Sequence, residues 1–404
     1  MMTRPTKTAT FPLTLAPAGL EASAMLWAKA APTSMPMAVM AESVNLFIKQ
    51  VGSNVNRGSY DSAFDAGDVV YETRELIAEL FNDTVPEQVV FTRNVTESLN
   101  LVIKGLLNPG DHVLVTSMEH NAVMRPLTGL RDLDISFSRI PCNREGLLQT
   151  AALENLLTFR TRAVVMTHAS NVSGTIMDVD TVSAFCREHD LDLILDAAQT
   201  AGVLPIDVQI WNPAAVCFTG HKSLLGPQGT SGAWLSKNTA SQLRPLVEGG
   251  TGSFSEDEVQ PEKLPDKFEA GTLNMPGLYG LHAALLWLKK TGIQSVHAHE
   301  MMLAGRFMEK AGSIKQVELT GPQSLDQRTA VVSVVCPRHD HGEVAHRLAK
   351  EYGIATRSGM HCAPSAHKTL GTYPAGTVRF SFGCFNTLKE VDQAVNALWQ
   401  IVKS

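Results

Sequence analysis

Residues 193–232, LILDAAQTAGVLPIDVQIWNPAAVCFTGHKSLLGPQGTSG, form the stretch that decides the fold. The apolar run 193–195 ends in Asp196, and the apolar run 215–218 ends in the segment 219–222, TGHK. Apolar runs of this length without polar alternation are typical of parallel strands that are covered on both faces. Open α/β sheets bind their ligands at the carboxyl ends of such strands, so both ends are predicted to contribute to a site.

An acid and a lysine at two strand ends suit one cofactor, pyridoxal phosphate (PLP). The Lys222 amine would form a Schiff base, and the Asp196 carboxylate would keep the pyridine nitrogen protonated so that the ring can accept electrons. Taken singly, Lys222 is more often an ordinary surface lysine and Asp196 an ordinary helix-capping aspartate. Together with the glycines that follow Lys222, the two residues favour the cofactor.

The whole chain limits the classes of protein that need to be considered. It has 404 residues, a net charge of −6 and 18% charged residues, enough for one large and one smaller domain. The modest acidic charge argues against a nucleic-acid partner, and no apolar run is long enough to cross a bilayer. Six cysteines without paired spacing predict a reducing, cytoplasmic setting with neither disulfides nor a metal site.

Alternating strands and helices between about 88 and 236 predict a mostly parallel sheet with helices on both faces. Beyond residue 290 the order of strands and helices becomes mixed. The predicted fold is therefore α/β, with three parts: an N-terminal tail and helix over 1–50, a large cofactor-binding domain over 51–290 and a small C-terminal α+β domain over 291–404. The predicted strands are 89–91, 112–116, 162–167, 330–336, 354–356 and 377–382, and the main predicted helices are 35–50, 71–81, 99–107, 179–189, 277–290, 295–311, 341–352 and 388–402.

Further candidates follow other strands of the large domain. Thr96 stands at a helix entrance, where backbone N–H groups favour a phosphate, although an ordinary threonine cap is the alternative. His120 follows strand 112–116 and would stack on a planar cofactor or serve as a structural hydrogen-bonding residue. Asn171 follows strand 162–167 and would donate to a cofactor oxygen or form a turn.

The small domain has its own candidates. Arg379 interrupts an apolar strand, which favours a carboxylate partner: either a substrate or a structural acid. Cys362 lies in a loop of Gly, His and Pro, and its neighbours Arg357 and His361 favour a nucleophilic thiolate. An inert loop thiol is the alternative.

These motifs resemble the class V, fold-type I PLP enzymes, and most closely the group II (Suf-type) cysteine desulfurases and selenocysteine lyases. The resemblance runs from about residue 50 to the C-terminus. It rests on Asp196-x-x-Gln199, TGHK at 219–222, EAGT at 269–272, and RSGMHCA at 357–363 together with Arg379. The short loop around Cys362 is similar to group II.

The resemblance implies a role for each matching residue. In the large domain, Lys222 would bind the cofactor and move the Cα proton, Asp196 would pair with the ring nitrogen, and Gln199 would touch the ring hydroxyl. His120 would stack on the ring and assist proton transfer, and Asn171 would lie near the cofactor and contribute to substrate binding. Thr96, Thr219 and His221 would hold the phosphate, together with Thr272 from the second subunit of a homodimer. In the small domain, Arg379 and Arg357 would bind the substrate, and Cys362 would carry its sulfur away as a persulfide.

The implied activity is a PLP-dependent cysteine desulfurase that converts L-cysteine to L-alanine and passes sulfur to an acceptor protein, with selenocysteine as a further candidate substrate. Two alternatives stay open. One is another class V reaction, such as transamination, racemisation or C–S lysis, in which Cys362 is incidental. The other is a weakly active partner in sulfur delivery. Departures from the family lie in the segment 25–33, which lacks the usual acid and amide, and at Asn56 and Met360, where relatives often have histidine.

Overall fold

The computed structural model describes residues 36–53, 55, 60–253 and 255–404. The predicted N-terminal tail, including the unusual segment 25–33, lies outside the described residues, and so does Asn56. The described helices are α1 (Pro36–Leu46), α2 (Asp61–Leu80), α3 (Val95–Leu106), α4 (Asn121–Gly129), α5 (Leu153–Leu156), α6 (Val179–Glu188), α7 (Val208–Trp211), α8 (Lys237–Gln242), α9 (Met275–Thr291), α10 (Ile293–Gly312), α11 (His341–Tyr352), α12 (Pro364–Leu370) and α13 (Leu388–Lys403). The described strands are β1 (Val89–Thr92), β2 (His112–Thr116), β3 (Ser136–Ile140), β4 (Thr161–Thr167), β5 (Asp192–Asp196), β6 (Ala215–Thr219), β7 (Ser231–Leu235), β8 (Glu318–Thr320), β9 (Val331–Val335), β10 (Arg357–Gly359) and β11 (Thr377–Ser381).

A seven-stranded sheet forms the centre of the large domain, in the order β1-β7-β6-β5-β4-β2-β3. Strands β3, β2, β4, β5 and β6 pair in parallel, and β7 pairs antiparallel with both β6 and β1. The carboxyl ends of the parallel strands therefore lie along one edge of the sheet, as the sequence predicts.

Both faces of this sheet are covered by helices, which explains the continuous apolar runs in the sequence. Within β5, Leu193 and Leu195 belong to the core shared with α2, α6 and α9, whereas Ile194 belongs to the core shared with α3 and α4. Successive side chains of a strand point to opposite faces, so both faces of β5 must be apolar. Burying each of these side chains stabilises the fold by about 1.5–3 kcal/mol.

The N-terminal helix α1 packs on the large domain along α9. The Ser43 hydroxyl donates to the Tyr279 carbonyl at 2.8 Å. In the turn that follows α1, the Phe47 ring lies 4.9 Å from the Tyr279 ring. The chain thus enters the large domain beside the helix that leads into the small domain.

The small domain has a four-stranded antiparallel sheet in the order β10-β11-β9-β8. Helices α10, α11 and α13 cover this sheet and share its apolar core, in which Phe307 and Phe380 pack with ring centroids 4.5 Å apart. The predicted combination of a mostly parallel sheet and a smaller α+β unit is confirmed.

Some of the predicted element boundaries are wrong. Helix α2 begins at Asp61, ten residues before the predicted start. The apolar pattern of the sequence missed its first turns because they face the core only through the small residues Ala63 and Ala66. The strand predicted at 354–356 is instead β10, which pairs with β11 from Arg357 to Gly359. Ile354 is buried, but its backbone lies in a loop. Over the residues that the structure describes, no helix combines the length and apolarity needed to cross a membrane.

Candidate active site

The ends of β5 and β6 open into a cavity of about 410 Å³ that is lined by Asp196 and Lys222. Asp196 is 5% exposed, and its Oδ1 accepts the Ala198 backbone N–H at 3.0 Å. Burial raises the Asp196 pKa, while the Ala198 N–H and the Lys222 charge act in the opposite direction. A negative charge at this position needs a cationic partner, which a protonated ring nitrogen would supply.

Lys222 is accessible from the cavity, yet protein surrounds it on most sides. Burial lowers the Lys222 pKa, whereas the charge of Asp196 raises it. The charges of Arg379 and Arg357 lower the Lys222 pKa further. The turn that presents Lys222 requires glycine, because a Cβ on Gly220 would lie 2.2 Å from the Thr230 hydroxyl. A lysine with a lowered pKa has a larger neutral, nucleophilic fraction.

The residues predicted to hold a phosphate lie on two elements. Thr219 ends β6, and its hydroxyl lies 3.0 Å from His221 Nδ1 and 2.9 Å from the Ser231 hydroxyl. Thr96 is exposed in the first turn of α3. The cap of that helix is Asn94, whose side chain accepts the Glu97 N–H at 3.0 Å, so the alternative of a Thr96 cap is wrong.

His120 lines the same cavity from the end of β2. Its Nδ1 accepts the Ala122 N–H at 3.0 Å, which caps α4 and leaves the ring proton on Nε2. Burial lowers the His120 pKa to about 4, with smaller contributions from Lys222 and Arg357. The imidazole is therefore neutral at pH 7 and suits stacking on an uncharged face of a ring.

The large domain also contributes two amide side chains, Gln199 and Asn171, to the cavity wall. Asn171 Nδ2 donates to the His361 carbonyl at 2.8 Å, and the Asn171 backbone carbonyl accepts Arg379 Nη1 at 2.9 Å. Asn171 therefore joins the two domains at the cavity, and its Oδ1 and second N–H are left for other partners.

Two arginines from the small domain lie side by side at the cavity. Arg357 on β10 and Arg379 on β11 are direct register partners, and both line the cavity. Burial lowers the Arg379 pKa to about 10, with Arg357 adding to the effect. Arg379 Nε is buried and has no hydrogen-bond partner among the described residues. Two adjacent guanidinium groups with an unsatisfied N–H are suited to binding a carboxylate.

Cys362 is exposed and does not itself line this cavity, but its Sγ lies 3.5 Å from Nη2 of Arg357, which does. His361 and Cys362 both adopt left-handed backbone conformations, with φ values of 46° and 60°. The Asn121 N–H donates to the Cys362 carbonyl at 2.8 Å, and this bond and the Asn171 bond to His361 hold the two strained residues against the large domain.

The expected activation of the thiol by His361 needs correction. His361 is 2% exposed, and its Nε2 lies 2.9 Å from the Thr377 hydroxyl. Burial, followed by the Arg379 charge, lowers its pKa to about 3, so it is neutral at pH 7. Of the two neighbours Arg357 and His361, only Arg357 therefore places a positive charge beside the thiol.

Thr272 is not brought to the Lys222 cavity within one chain. It is exposed and lines a separate cavity of about 330 Å³ near Arg74 and Glu269. A contribution of Thr272 to the Lys222 cavity would require the second subunit that the sequence resemblance implies.

Three titratable residues of the site region were not predicted from the sequence. Glu300 and Cys384 line the cavity, and burial raises the Glu300 pKa to about 8 and the Cys384 pKa to about 12. Glu119 lies fully buried beneath the cavity. Sequence offered one signal for Glu119 only, its position next to His120 at a strand end.

Comparisons with known proteins identify the family. Residues 26–394 match the model of the aminotransferase class-V family. The chain belongs to this family. It is 32% identical over 379 residues to a probable cysteine desulfurase from Methanothermobacter thermautotrophicus, covering 93% of each chain. It is 33% identical over 382 residues to a probable cysteine desulfurase from Pyrococcus abyssi, covering 92% of this chain and 93% of the relative.

Solved structures agree with this assignment. The apo cysteine desulfurase of Thermococcus onnurineus NA1 superposes with a TM-score of 0.85 at 29% identity, over 90% of this chain and 91% of that one. The cysteine desulfurase CsdA of Escherichia coli superposes with a TM-score of 0.81 at 29% identity, with the same coverage. Members of the family use pyridoxal phosphate, which is the cofactor of this class V chain.

The residues at the cavity fit this cofactor. Lys222, Arg357 and Arg379 are three basic side chains in the wall, and Asp196 is the carboxylate that opposes them. Glu300 adds little negative charge, because its raised pKa keeps it largely protonated at pH 7. The positive excess suits the phosphate of the cofactor and the carboxylate of an amino acid.

Proposed function

We propose that this protein is a PLP-dependent cysteine desulfurase that releases L-alanine and retains the substrate sulfur as a persulfide on Cys362. The observation that carries this proposal is the exposed Cys362 thiol, held 3.5 Å from an arginine in the wall of the Lys222–Asp196 cavity. The relatives and structural neighbours that are named as cysteine desulfurases support it.

Substrate binding falls to the small domain. Arg379 would bind the α-carboxylate of cysteine through its unsatisfied Nε–H, and Arg357 would add a second positive charge beside it. The bond from Arg379 to the Asn171 carbonyl fixes the guanidinium plane against the large domain. Because the arginines would hold the carboxylate, the substrate thiol would be left free to approach Cys362.

Within the large domain, each residue has a proposed part in holding the cofactor or moving a proton. Bound pyridoxal phosphate supplies an electron sink for the Cα carbanion. Asp196 would hold the ring nitrogen, His120 would stack on the ring with Gln199 at the ring hydroxyl, and Thr96, Thr219 and His221 would bind the phosphate. Lys222, whose lowered pKa favours the neutral amine, would take the Cα proton.

The sulfur step balances without an external oxidant. The Cys362 thiolate attacks the substrate sulfur, an S–S bond forms and the Cβ–S bond breaks. The electron pair of that bond stays with the carbon skeleton, which gains a proton and leaves as alanine. L-cysteine and one thiol thus give L-alanine and one persulfide, and a later thiol of an acceptor protein takes the outer sulfur.

The finer assignments belong to the same proposal. Selenocysteine would bind in the same way, because its carboxylate and amine are those of cysteine. Thr272 would reach the phosphate of a second copy in a homodimer, and the protein would work in the cytoplasm. The functional division would be the large domain over 51–290 and the small domain over 291–404, with helix α1 packed on the large domain.

One experiment tests the proposal. The purified protein, loaded with pyridoxal phosphate, is incubated with L-cysteine, and alanine and sulfide are measured for the native protein and for Cys362→Ala. We expect equal amounts of alanine and sulfide from the native protein in the presence of a reducing thiol, and loss of both in the variant. Cys142→Ala, which removes a half-buried thiol outside the cavity, is the control and should behave as native.

The alternatives predict different results. Sulfide release that survives in Cys362→Ala would make the thiol incidental and would favour another class V reaction. A protein that binds pyridoxal phosphate but turns over neither cysteine nor selenocysteine would favour a partner role in sulfur delivery. Running selenocysteine beside cysteine in the same assay resolves the choice of substrate.

A further inference from the structure

Glu119 is the most deeply buried acid at the ends of the parallel strands, and the proposed reaction makes no use of it. It is 0% exposed and stands between β2 and His120 in the chain. Charged carboxylates are rarely buried to this extent unless they are paired with a cation. What holds this side chain, and in which protonation state, therefore needs an explanation.

The hydrogen bonds of Glu119 join two neighbouring strands at their carboxyl ends. Its Oε1 accepts the Thr116 hydroxyl at 2.5 Å, from the last residue of β2. The same oxygen accepts the Thr167 backbone N–H at 2.9 Å, from the last residue of β4. Thr167 in turn is the register partner of Asp196 on β5. One oxygen thus links the strand that leads to His120 with the strand beside Asp196.

The second oxygen of Glu119 has no such partner. Oε2 is buried and makes no hydrogen bond with any described residue. The titratable groups that face Glu119 are Asp196 from β5 and Cys142 from the segment after β3, with His120 beside it in the chain. Of these, Asp196 is an acid, while His120 and Cys142 are neutral at pH 7 because their pKa values lie near 4 and 11.

The surroundings therefore favour a proton on this carboxyl. Burial is the main influence and raises the Glu119 pKa to about 8, opposed by the bonds from Thr116 and Thr167, while the Asp196 charge adds to the increase. A second carboxylate next to Asp196 would also compete with it for the charge of a ring nitrogen.

We propose that Glu119 is a positioning residue: an uncharged carboxylic acid that ties the ends of β2 and β4 together, and so fixes His120 and Asp196 while leaving Asp196 as the only anion against the cofactor ring. This inference rests on the proposed PLP site for its consequence, although the protonation state of Glu119 can be measured without cofactor. It predicts that replacing Glu119 by an uncharged residue that keeps its hydrogen bonds leaves the cofactor site unchanged, whereas removing those hydrogen bonds changes it.

The first test uses the cofactor-free protein and Glu119→Gln, which keeps the acceptor oxygen and is uncharged at every pH. Glutamate in the unfolded chain ionises near pH 4.3, whereas Glu119 in the folded chain does not ionise until about pH 8. Between these values the unfolded native chain releases a proton that the folded chain retains, so the native protein loses stability as pH rises. The glutamine variant has no such loss.

The melting temperature of Glu119→Gln relative to the native protein should therefore increase from pH 5 to pH 8. The exposed Glu145→Gln, as control, should show no such trend. An infrared difference spectrum of native protein minus Glu119→Gln should also contain a protonated-carboxyl band at pH 6. A melting difference that is flat or decreases, or the absence of that band, would overturn the proposal. Neither measurement depends on cofactor, so neither can fail because the proposed activity is wrong.

The second test measures positioning in the loaded protein through the pH titration of the visible absorbance band of bound pyridoxal phosphate. Glu119→Gln should titrate with the native midpoint. Glu119→Ala removes both hydrogen bonds, so the midpoint should shift and the Kd for the cofactor should rise about tenfold. A shifted midpoint in Glu119→Gln would show that the charge of Glu119 matters, and a native midpoint in Glu119→Ala would show that its contacts do not; either result contradicts the proposal.

Discussion

The two halves of the active site are built in opposite ways. Asp196 and Lys222 are set by the ends of parallel strands, where Asp196 is 5% exposed and Lys222, although exposed, lines the cavity. Cys362 is exposed, has a left-handed backbone and is held through the carbonyls of its own loop. The half that is proposed to bind the cofactor is built around the buried Asp196 carboxylate, and we call it the enclosed half. The half that carries the Cys362 thiol is exposed to solvent, and we call it the presented half.

This difference follows from what each half must do. A permanently bound cofactor gains from a site with low water content, where charges interact strongly. A second molecule has to reach Cys362 if this thiol passes sulfur onward as proposed, and the structure fixes the backbone of Cys362 while leaving the residue exposed. Asn171 connects the two halves, because it follows strand β4 of the large domain and bonds to two parts of the small domain. Its side chain donates to the Cys362 loop, and its backbone carbonyl accepts a hydrogen bond from Arg379.

The largest effect is expected from Lys222→Ala, which removes the amine of the enclosed half. The variant lacks the amine that is proposed to bind the cofactor and to move the Cα proton, so kcat should fall by roughly 10⁴-fold. The visible absorbance band of the bound cofactor should change as well. Absorption spectra and alanine release on the same sample measure both. A variant that retained the native spectrum and rate would show that Lys222 is not the cofactor lysine.

Cys362→Ser removes the thiol of the presented half and leaves the enclosed half unchanged, so its effects on the two halves can be measured separately. Serine keeps the size of the side chain but is a far weaker nucleophile toward sulfur, so persulfide formation should stop while the cofactor spectrum stays native. Mass spectrometry after a single addition of cysteine should detect added sulfur in the native protein alone. An equal mass increase in Cys362→Ser would place the acceptor thiol elsewhere.

Sequence predicted the enclosed half better than the presented one, for physical reasons. Buried parallel strands have an unmistakable apolar pattern, and the polar residues that end them are fixed by the topology, so Asp196, Lys222 and His120 were found together. Strand β7 was missed because it begins with Ser231 and Gly232 and pairs antiparallel with β6 and β1, outside the pattern of parallel strands. The roles of His361 and Glu119 could not be inferred, because burial decides their charge and a single sequence does not report burial.

Arg379→Gln sharpens the comparison by weakening substrate binding without touching either the cofactor or the thiol. Loss of a charge-assisted bond to the carboxylate should raise the KM for cysteine about 10- to 100-fold. The cofactor spectrum should stay native, because Arg379 is proposed to contact substrate only. Arg379→Lys is the matched control, and its KM should fall between those of the native protein and Arg379→Gln. Lysine keeps the positive charge but lacks the planar guanidinium that binds a carboxylate through two N–H groups. Equal KM values in all three proteins would exclude Arg379 from substrate binding.

The smallest effect is expected from Asn171→Ala, which removes the side-chain bond to the His361 carbonyl and leaves the backbone bond to Arg379 in place. One hydrogen bond contributes about 1 kcal/mol, so the loop should open about fivefold more often. Hydrogen exchange of residues 358–364 should be faster by that factor, with kcat reduced to a similar extent. If Asn171 acted on the cofactor instead, the visible spectrum would change and the loop amides would not. The relative size of these two changes therefore measures whether this residue belongs to the enclosed half or to the connection between the halves.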